Sequence, residues 1–163
     1  MLVGVVSDTH NNINNINKII DIFNQEEVEL VIHTGDISKA STLKLFSSLN
    51  SKLIGVYGNN DRCEEGLEEI AFKYKFKFQE PPLSIVLENK KIAIFHEPDL
   101  IKSYIQEFQD CDLILHGHTH RYRQEIINNT IYFNPGESAG MSKGKNAIGL
   151  VDLNKLKIKR VFF

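Results

Sequence analysis

The stretch LVGVVSDTH, residues Leu2 to His10, introduces a pattern that recurs along the chain. Its first five residues form a continuous apolar run rich in β-branched side chains, which is typical of a strand covered on both faces. The run ends in a polar turn that contains an aspartate and a histidine. Apolar residues then recur at helical spacing: Ile13, Ile16, Ile19, Ile20 and Phe23. We therefore expect an amphipathic helix after the turn.

The same alternation continues through the first third of the sequence. The runs ELVIHTGD and KLIGVYGNND each read as a buried strand that ends in a polar turn, and STLKLFSSL between them has the pattern of a helix. Strands that alternate with helices predict a parallel sheet with right-handed crossovers. In such sheets ligands bind beyond the carboxyl ends of the strands.

The second half mixes helices, one more strand and hairpins. Helices are predicted over residues 64–75 and, after Pro98, over residues 99–108. DLILHGHTH repeats the motif of an apolar strand and a polar turn. Hairpin turns are predicted at residues 88–91, 128–129 and 154–155. We expect an α/β fold in which two mixed sheets pack together with helices outside, and one domain over residues 1–163, because no linker is evident.

Composition excludes several classes of protein. The 163 residues carry a net charge of −2 with both signs interspersed, so no basic surface for nucleic acid or acidic membrane is evident. Cys63 and Cys111 lack zinc-finger or CxxC spacing, which favours free thiols in a reducing compartment. No basic leader precedes the first apolar run, and no run is long enough to span a bilayer. The expected location is the cytoplasm.

Potential metal ligands follow five of the predicted strands. They are Asp8, His10, Asp36, Asn59, His96, His118 and His120. Each has an ordinary alternative as a helix cap, a turn residue or a surface histidine. If the strands share a direction, however, their carboxyl ends bring all of these side chains to one rim. Such a cluster of carboxylates and imidazoles would be costly to bury without a cation.

The donor types narrow the choice of metal. Oxygen and imidazole donors without thiolate suit Mn, Fe, Ni, Co or Zn, with Mn favoured, and seven donors are too many for one tetrahedral ion. We therefore expect two divalent ions. A shared carboxylate would hold them about 3.5 to 4 Å apart and lower the pKa of a water between them, which is the predicted nucleophile.

The ordered motifs DTH, GD, GNND, GHTH and NPGE resemble those of the calcineurin-like metallophosphoesterases, and most closely those of its small single-domain prokaryotic phosphodiesterases. The resemblance covers almost the whole chain. It implies a four-layer α/β/β/α sandwich and an enzyme in which a metal-bridging hydroxide attacks the phosphorus of a small phosphoester in line, with diesters favoured over monoesters. It also implies two ligand sets that share Asp36: Asp8, His10, Asp36 and His120 for one ion, and Asp36, Asn59, His96 and His118 for the other.

Four positions raise questions against that pattern. Many relatives have a histidine that assists the leaving group where this chain has Asn60, so we expect a preference for substrates whose leaving group departs easily. Asp61 is interpreted as orienting a ligand or the turn, with an exposed turn carboxylate as the alternative. We predict that four residues take part in catalysis: Asp36, Asn59, Asn60 and Asp61. Glu97, where glycine is usual, is expected to face solvent, and Glu137 replaces the usual serine.

Other residues receive structural interpretations. His116 stands where the resembled family has a variable residue, and His33 lies inside the predicted buried strand LVIHTGD, so both are assigned to strand packing or support of the site. Arg121 and Arg123 can contact phosphate or form a solvated face. The lysine-rich KLKIKR segment is typical of a protected sheet edge, although exposed hairpin edges also make a homo-oligomer possible.

Two competing functions remain. The retromer subunit of this fold serves mainly as a protein-binding scaffold, so a catalytically silent, metal-binding scaffold is the alternative to an enzyme. A purely structural metal site is the other, and it is disfavoured because such sites usually close four positions with Cys and His.

Overall fold

Two mixed β-sheets and four α-helices make up the computed structural model, which describes residues 1–163. The strands are β1 (Leu2–Val6), β2 (Leu30–His33), β3 (Lys52–Val56), β4 (Lys77–Gln79), β5 (Leu83–Leu87), β6 (Lys90–Ile94), β7 (Leu113–Leu115), β8 (Arg123–Ile127), β9 (Thr130–Asn134), β10 (Ala147–Asp152) and β11 (Lys157–Phe162). The helices are α1 (Ile13–Gln25), α2 (Ala40–Leu43), α3 (Leu67–Tyr74) and α4 (Pro98–Ser103), with a 3₁₀ segment at Lys44–Ser48.

The strand order confirms the predicted α/β class with two mixed sheets. The first sheet has the order β11-β10-β1-β2-β3-β4, in which β1 to β4 run parallel and β10 is antiparallel to both of its neighbours, β1 and β11. The second has the order β5-β6-β7-β9-β8, with parallel pairing only between β6, β7 and β9. Consecutive parallel strands need crossovers, and α1 and the α2 region supply the first two.

Apolar side chains of both sheets meet between them. Val5 and Ile32 of the first sheet share a buried cluster with Leu115 and Phe133 of the second. A separate cluster lies between the first sheet and its helices, where Phe23 of α1 is fully buried. The two sheets therefore form the middle layers, as the sandwich prediction requires.

Helix α1 buries one face, as its spacing predicts. Ile16, Ile19, Ile20 and Phe23 are at most 4% exposed, whereas Ile13 is 54% exposed and lies outside the core. Asn12 caps the helix, because its side-chain oxygen accepts a hydrogen bond from the backbone N–H of Asn15 at 3.1 Å. None of the helices has the length and apolar character needed to cross a membrane.

Several predicted boundaries are wrong by a few residues. Helix α3 begins at Leu67 and not at residue 64, because Gly66 precedes it with φ 81°, and α4 ends at Ser103 and not at residue 108. The predicted helix over residues 41–49 is a single α-turn followed by a 3₁₀ segment. The first hairpin turns at residues 88–89 alone, where both residues have positive φ. The short parallel strand β4 was not predicted.

Candidate metal centre

The carboxyl ends of five strands from the two sheets converge on one rim. The turns after β1, β2 and β3 come from the first sheet, and those after β6 and β7 come from the second. Sharp turns at this rim require left-handed backbone at five of the predicted ligands: Asp8, His10, Asp36, His118 and His120 have φ between 37° and 66°. Non-glycine residues rarely adopt such φ values, and they cluster at functional sites.

This backbone corrects one detail of the sequence interpretation. An extended HGHTH segment would let alternate residues reach the rim, but His118 and His120 lie in left-handed turns. Gly117 allows the turn after β7 to lie against Ser7, because a Cβ at this position would lie 1.9 Å from Ser7 Oγ. Both histidines still face the rim, while the Thr119 hydroxyl receives a hydrogen bond from Asn134 at 3.2 Å.

The first group of donors surrounds Asp8. His120 Nε2 lies 3.5 Å from Asp8 Oδ1 and 3.2 Å from His10 Nε2. The three donor atoms all lie within 4.8 Å of one another. Asp8 is fully buried, and it accepts hydrogen bonds from Ser7 Oγ at 2.6 Å and from the backbone N–H of His118 at 3.1 Å. These bonds hold the carboxylate in one orientation.

The second group surrounds His96, which is fully buried. Its Nε2 lies 3.0 Å from Asn59 Oδ1 and 3.4 Å from Asp36 Oδ1, and its Nδ1 donates to the backbone carbonyl of Thr34 at 2.8 Å. His118 Nδ1 lies 3.0 Å from the same Asn59 oxygen. Asn59 and His118 are exposed, so this group is open to solvent on one side.

Asp36 connects the two groups. Its Oδ2 lies 3.5 Å from His10 Nε2, and its Oδ1 lies 3.4 Å from His96 Nε2. Asp8 is also near both groups, because its carboxylate lies within 4.8 Å of the donors of Asp36 and His96. We regard Asp36 as the link, since each of its oxygens faces a different histidine.

The environment of the site shifts the pKa values of Asp8 and Asp36 in opposite directions. Burial acts to raise the pKa of Asp36, but the hydrogen bond and charge of His96, with hydrogen bonds from Asn60, hold this pKa below its usual value. Burial dominates at Asp8 and raises its pKa. Burial opposes protonation of His96, yet its contact with Asp36 raises the imidazole pKa. A nearby cation would offset the effect of burial on the Asp8 carboxylate.

Asp61 is buried beneath the rim and binds the backbone of two of its turns. Only 3% of its surface is exposed, and its carboxylate accepts hydrogen bonds from the backbone N–H groups of Asp36 at 2.9 Å, Ser38 at 2.6 Å and Gly58 at 2.7 Å. The alternative of an exposed turn carboxylate is wrong. Asp61 ties the turn after β2 to the turn after β3, and its carboxylate contacts backbone N–H groups and none of the rim donors.

Asn60 is bound to Asp36. Its backbone N–H donates to Asp36 Oδ1 at 3.0 Å, and its side-chain amide donates to Oδ2 at 2.7 Å. The residue is exposed on its other side. Its amide therefore orients the carboxylate that connects the two groups.

His33 and His116 belong to neither group of donors. Burial lowers the pKa of His33 to about 3 and that of His116 to about 4. His33 Nδ1 accepts the backbone N–H of Gly35 at 3.1 Å, and His116 Nε2 lies 3.3 Å from the guanidinium of Arg123. Both imidazoles are neutral at physiological pH and serve packing.

The Glu97 carboxylate makes its polar contact with Arg62 and not with a rim donor. It forms an ion pair with Arg62 at 3.0 Å, and 28% of its side chain is exposed. The side chain is thus only partly exposed, and its carboxylate has a cationic partner that the spacing did not reveal. Arg123 lies over the ring of Tyr132 at 4.7 Å, which does not fit a phosphate contact.

Glu137 is the residue whose role the sequence did not reveal. It is 2% exposed, and its carboxylate accepts the backbone N–H groups of Met141 at 3.0 Å and Ser142 at 2.5 Å. Its Oε2 also lies 3.6 Å from His120 Nδ1. A carboxylate that accepts a hydrogen bond from the second ring nitrogen of a metal-binding histidine fixes the orientation of the imidazole. The only indication of this role in the sequence is the glutamate of NPGE, which stands where relatives commonly have serine.

Comparisons with known proteins identify the family and the fold of this chain. Residues 1–156 match the family model for the calcineurin-like phosphoesterase superfamily domain. A phosphodiesterase of Methanocaldococcus jannaschii is 34% identical over 99% of this chain and 98% of its own. The phosphodiesterase YfcE of Escherichia coli K12 is 22% identical over 97% and 91%. The solved structure of an archaeal phosphodiesterase superposes with a TM-score of 0.90 at 33% identity and covers both chains completely.

Proposed function

Because the chain belongs to the calcineurin-like phosphoesterase superfamily, we propose that it is a dinuclear metal-dependent phosphodiesterase. The observation that carries the proposal is the position of Asp36. One of its oxygens faces His10 at 3.5 Å and the other faces His96 at 3.4 Å, as a carboxylate shared by two ions requires. Residues 1–163 would act as one catalytic domain.

The donors fit two ions. Ligand atoms about 2.1 Å from a common ion are separated by about 3.0 to 3.4 Å in octahedral or tetrahedral coordination. The neighbouring donor atoms at this rim lie 3.0 to 3.5 Å apart. We assign one ion to Asp8, His10, Asp36 and His120, and the other to Asp36, Asn59, His96 and His118.

Oxygen and imidazole donors in this mixture support Mn²⁺ as the first choice, with Ni, Co, Fe or Zn as alternatives. Two divalent ions would supply a hydroxide nucleophile at neutral pH and would offset the charge that develops on the phosphoryl oxygens during in-line displacement.

The protein residues would orient the reacting groups. Asn60 holds the Asp36 carboxylate through its side-chain amide at 2.7 Å, and Asp61 fixes the backbone of the same turn at 2.9 Å. Neither contact supplies an acid for the leaving group, because an amide does not give up its proton. A leaving group that departs without protonation is therefore favoured.

A small phosphodiester is the proposed substrate. Both curated relatives are named phosphodiesterases, and the rim is open to solvent at Asn59 and His118. The free thiols of Cys63 and Cys111 support the reducing cytoplasm as the location.

The test is hydrolysis of bis-p-nitrophenyl phosphate and p-nitrophenyl phosphate by chelator-stripped protein with Mn²⁺ restored. We expect metal-dependent turnover that favours the diester and is absent from Asp36→Ala. Binding of Mn²⁺ to both proteins, measured by titration calorimetry, provides a readout independent of turnover: the intact site should take up two ions per chain.

Failure would point to the alternative function. No turnover with Mn, Ni, Co or Zn, in a protein that still binds two ions, would favour a metal-binding interaction scaffold. Uptake of a single ion would contradict the dinuclear assignment itself.

A further inference from the structure

An acidic cavity opens beside the loop that joins β3 to α3. Its volume is about 450 Å³, which lies within the range of small-molecule binding sites. None of the rim donors lines it, so it is separate from the candidate metal centre. Its wall carries the carboxylates of five glutamates: Glu64, Glu65, Glu68, Glu69 and Glu80.

Most of this negative charge has no cationic partner. Arg62 is the one cation of the wall, and it pairs with Glu80 at 3.6 Å. The same guanidinium is shared with Glu97 at 3.0 Å. The other four glutamates form no ion pair within the protein, and we call them the unpaired glutamates: Glu64, Glu65, Glu68 and Glu69.

The helix dipole accounts for only half of the unpaired glutamates. Glu68 and Glu69 lie in the first turn of α3, where negative charge stabilises a helix. Glu64 and Glu65 precede the helix and gain nothing from its hydrogen-bonded turns. Their repulsion against the other two carboxylates is unfavourable unless a cation lies between them.

Tyr57 supplies a second polar group that faces the cavity. Only 8% of the residue is exposed, its ring stacks on that of Phe78 at 5.5 Å, and its hydroxyl makes no hydrogen bond within the protein. Burial, with the negative charges of Glu68, Asp61 and Glu80, raises the pKa of this hydroxyl to about 12, so the group lies among the carboxylates of the wall. A nearly buried hydroxyl of this kind needs a partner from outside the chain.

The carboxylates do not converge as the ligands of a metal ion would. Groups of three or more acidic or imidazole donors within 4.8 Å of one another occur only at the rim. Carboxylates that are spread over one wall suit a ligand whose positive charges are themselves spaced apart.

We propose that this cavity binds an aliphatic polyamine, a chain of methylenes that carries two or more ammonium groups. The ammonium groups would pair with the unpaired glutamates, and one of them would donate a hydrogen bond to the Tyr57 oxygen. The methylenes would lie along Tyr57 and Leu67, which are the apolar side chains of the wall. A single ammonium would leave most of the negative charge unbalanced, so affinity should rise with the number of ammonium groups.

A series of amines tests the ligand class. Titration calorimetry of metal-free protein with spermidine, putrescine and n-butylamine compares chains that carry three, two and one ammonium groups. We expect one saturable spermidine site per chain and binding of n-butylamine that is weaker by at least about tenfold, because two ion pairs are lost. Metal-free protein keeps the result independent of the metal centre and of catalysis.

Two variants test the cavity wall. Tyr57→Phe keeps the ring that stacks on Phe78 but removes the hydroxyl, and spermidine should bind it about tenfold more weakly. Glu68→Gln should weaken binding by about fivefold. The matched control is Glu88→Gln, which removes the same charge from the exposed turn between β5 and β6 and should leave Kd within about twofold. Circular dichroism would verify that each variant is folded.

Absence of spermidine binding would overturn the proposal. Equal affinities for spermidine and n-butylamine would contradict the choice of a polyamine, and unchanged binding by Tyr57→Phe would remove the hydroxyl from the site. If Glu68→Gln and Glu88→Gln lost affinity equally, or if Mg²⁺ at an equal concentration of positive charge displaced spermidine, binding would depend on net charge alone and not on this cavity.

Discussion

Asn60 Nδ2 donates a hydrogen bond to Asp36 Oδ2 at 2.7 Å, and this contact occupies the side chain that stands where many relatives have a histidine. The amide therefore acts on the carboxylate that connects the two donor groups. Its contribution to the reaction would be to orient Asp36 and not to protonate a leaving oxygen.

Substrates with good leaving groups should consequently react much faster. We expect an aryl diester to be hydrolysed far more rapidly than an alkyl diester, and Asn60→His to raise alkyl diester turnover by about 10²-fold through general acid catalysis. Steady-state kinetics with both substrates on both proteins provides the measurement. Equal turnover of the two diesters by the unmodified protein would show that another group protonates the leaving oxygen.

Removing the Asp61 carboxylate should destabilise the fold. Asp61→Ala leaves three backbone N–H groups, at Asp36, Ser38 and Gly58, without their acceptor. The expected loss in the free energy of unfolding is roughly 2 to 4 kcal/mol, measured by urea denaturation. Asp99→Ala is the control, because that side chain is 93% exposed and should cost almost nothing. Similar stabilities of the two variants would mean that water replaces the carboxylate.

The Glu137 carboxylate should strengthen metal binding through His120. Glu137→Gln keeps the size of the side chain but removes the charge that lies 3.6 Å from His120 Nδ1. We expect Mn²⁺ affinity to fall by about tenfold, as for other groups that orient ligand histidines. Titration calorimetry on stripped protein measures the affinity, with Glu64→Gln at an exposed position as control. An unchanged Kd would show that Glu137 anchors the loop at residues 139–142 and does not contribute to metal binding.

Glu97 should have little influence on turnover. Its carboxylate pairs with Arg62 at 3.0 Å and not with a rim donor. Glu97→Gly, which creates the residue usual in relatives, should therefore leave kcat/KM for the aryl diester within about twofold, since exposed ion pairs contribute little energy. A marked gain in activity would show instead that this carboxylate repels the anionic substrate.

Buried His33 should make the metal-free protein less stable in acid. Burial lowers its pKa from 6.5 to about 3, so below pH 6.5 the unfolded chain binds a proton that the folded chain does not. The stabilisation present above pH 6.5 is then lost as the pH falls toward 3, at about 1.4 kcal/mol per pH unit.

The variant His33→Asn isolates this contribution. Its side-chain oxygen can still accept the Gly35 N–H, but it does not titrate. Urea denaturation at pH 7, 6, 5 and 4 should show the stability difference between the two proteins shrinking as the pH is lowered. Parallel pH profiles would mean that His33 becomes protonated without unfolding.

The chemistry of the site follows from local sequence patterns. An apolar run followed by a polar turn places a donor at the end of a strand, and alternation with helices makes neighbouring strands parallel. Both inferences depend on residues within a few positions of each other. For this reason the sequence determined the α/β class, the largely buried strand β1 and the buried strand β2, and the side chains of the rim, including His10 and His120.

Only the tertiary structure decided what surrounds those donors. The sequence does not show that Asp61 turns inward to three backbone N–H groups, that Glu137 reaches His120, or that Arg62 neutralises Glu97. Each contact joins turns of different strands, so its geometry depends on how the two sheets pack and on left-handed backbone at residues such as His118. The start of α3 and the end of α4 escaped prediction for a related reason: each sequence pattern extends beyond the helix, whose limits are set by packing and backbone conformation.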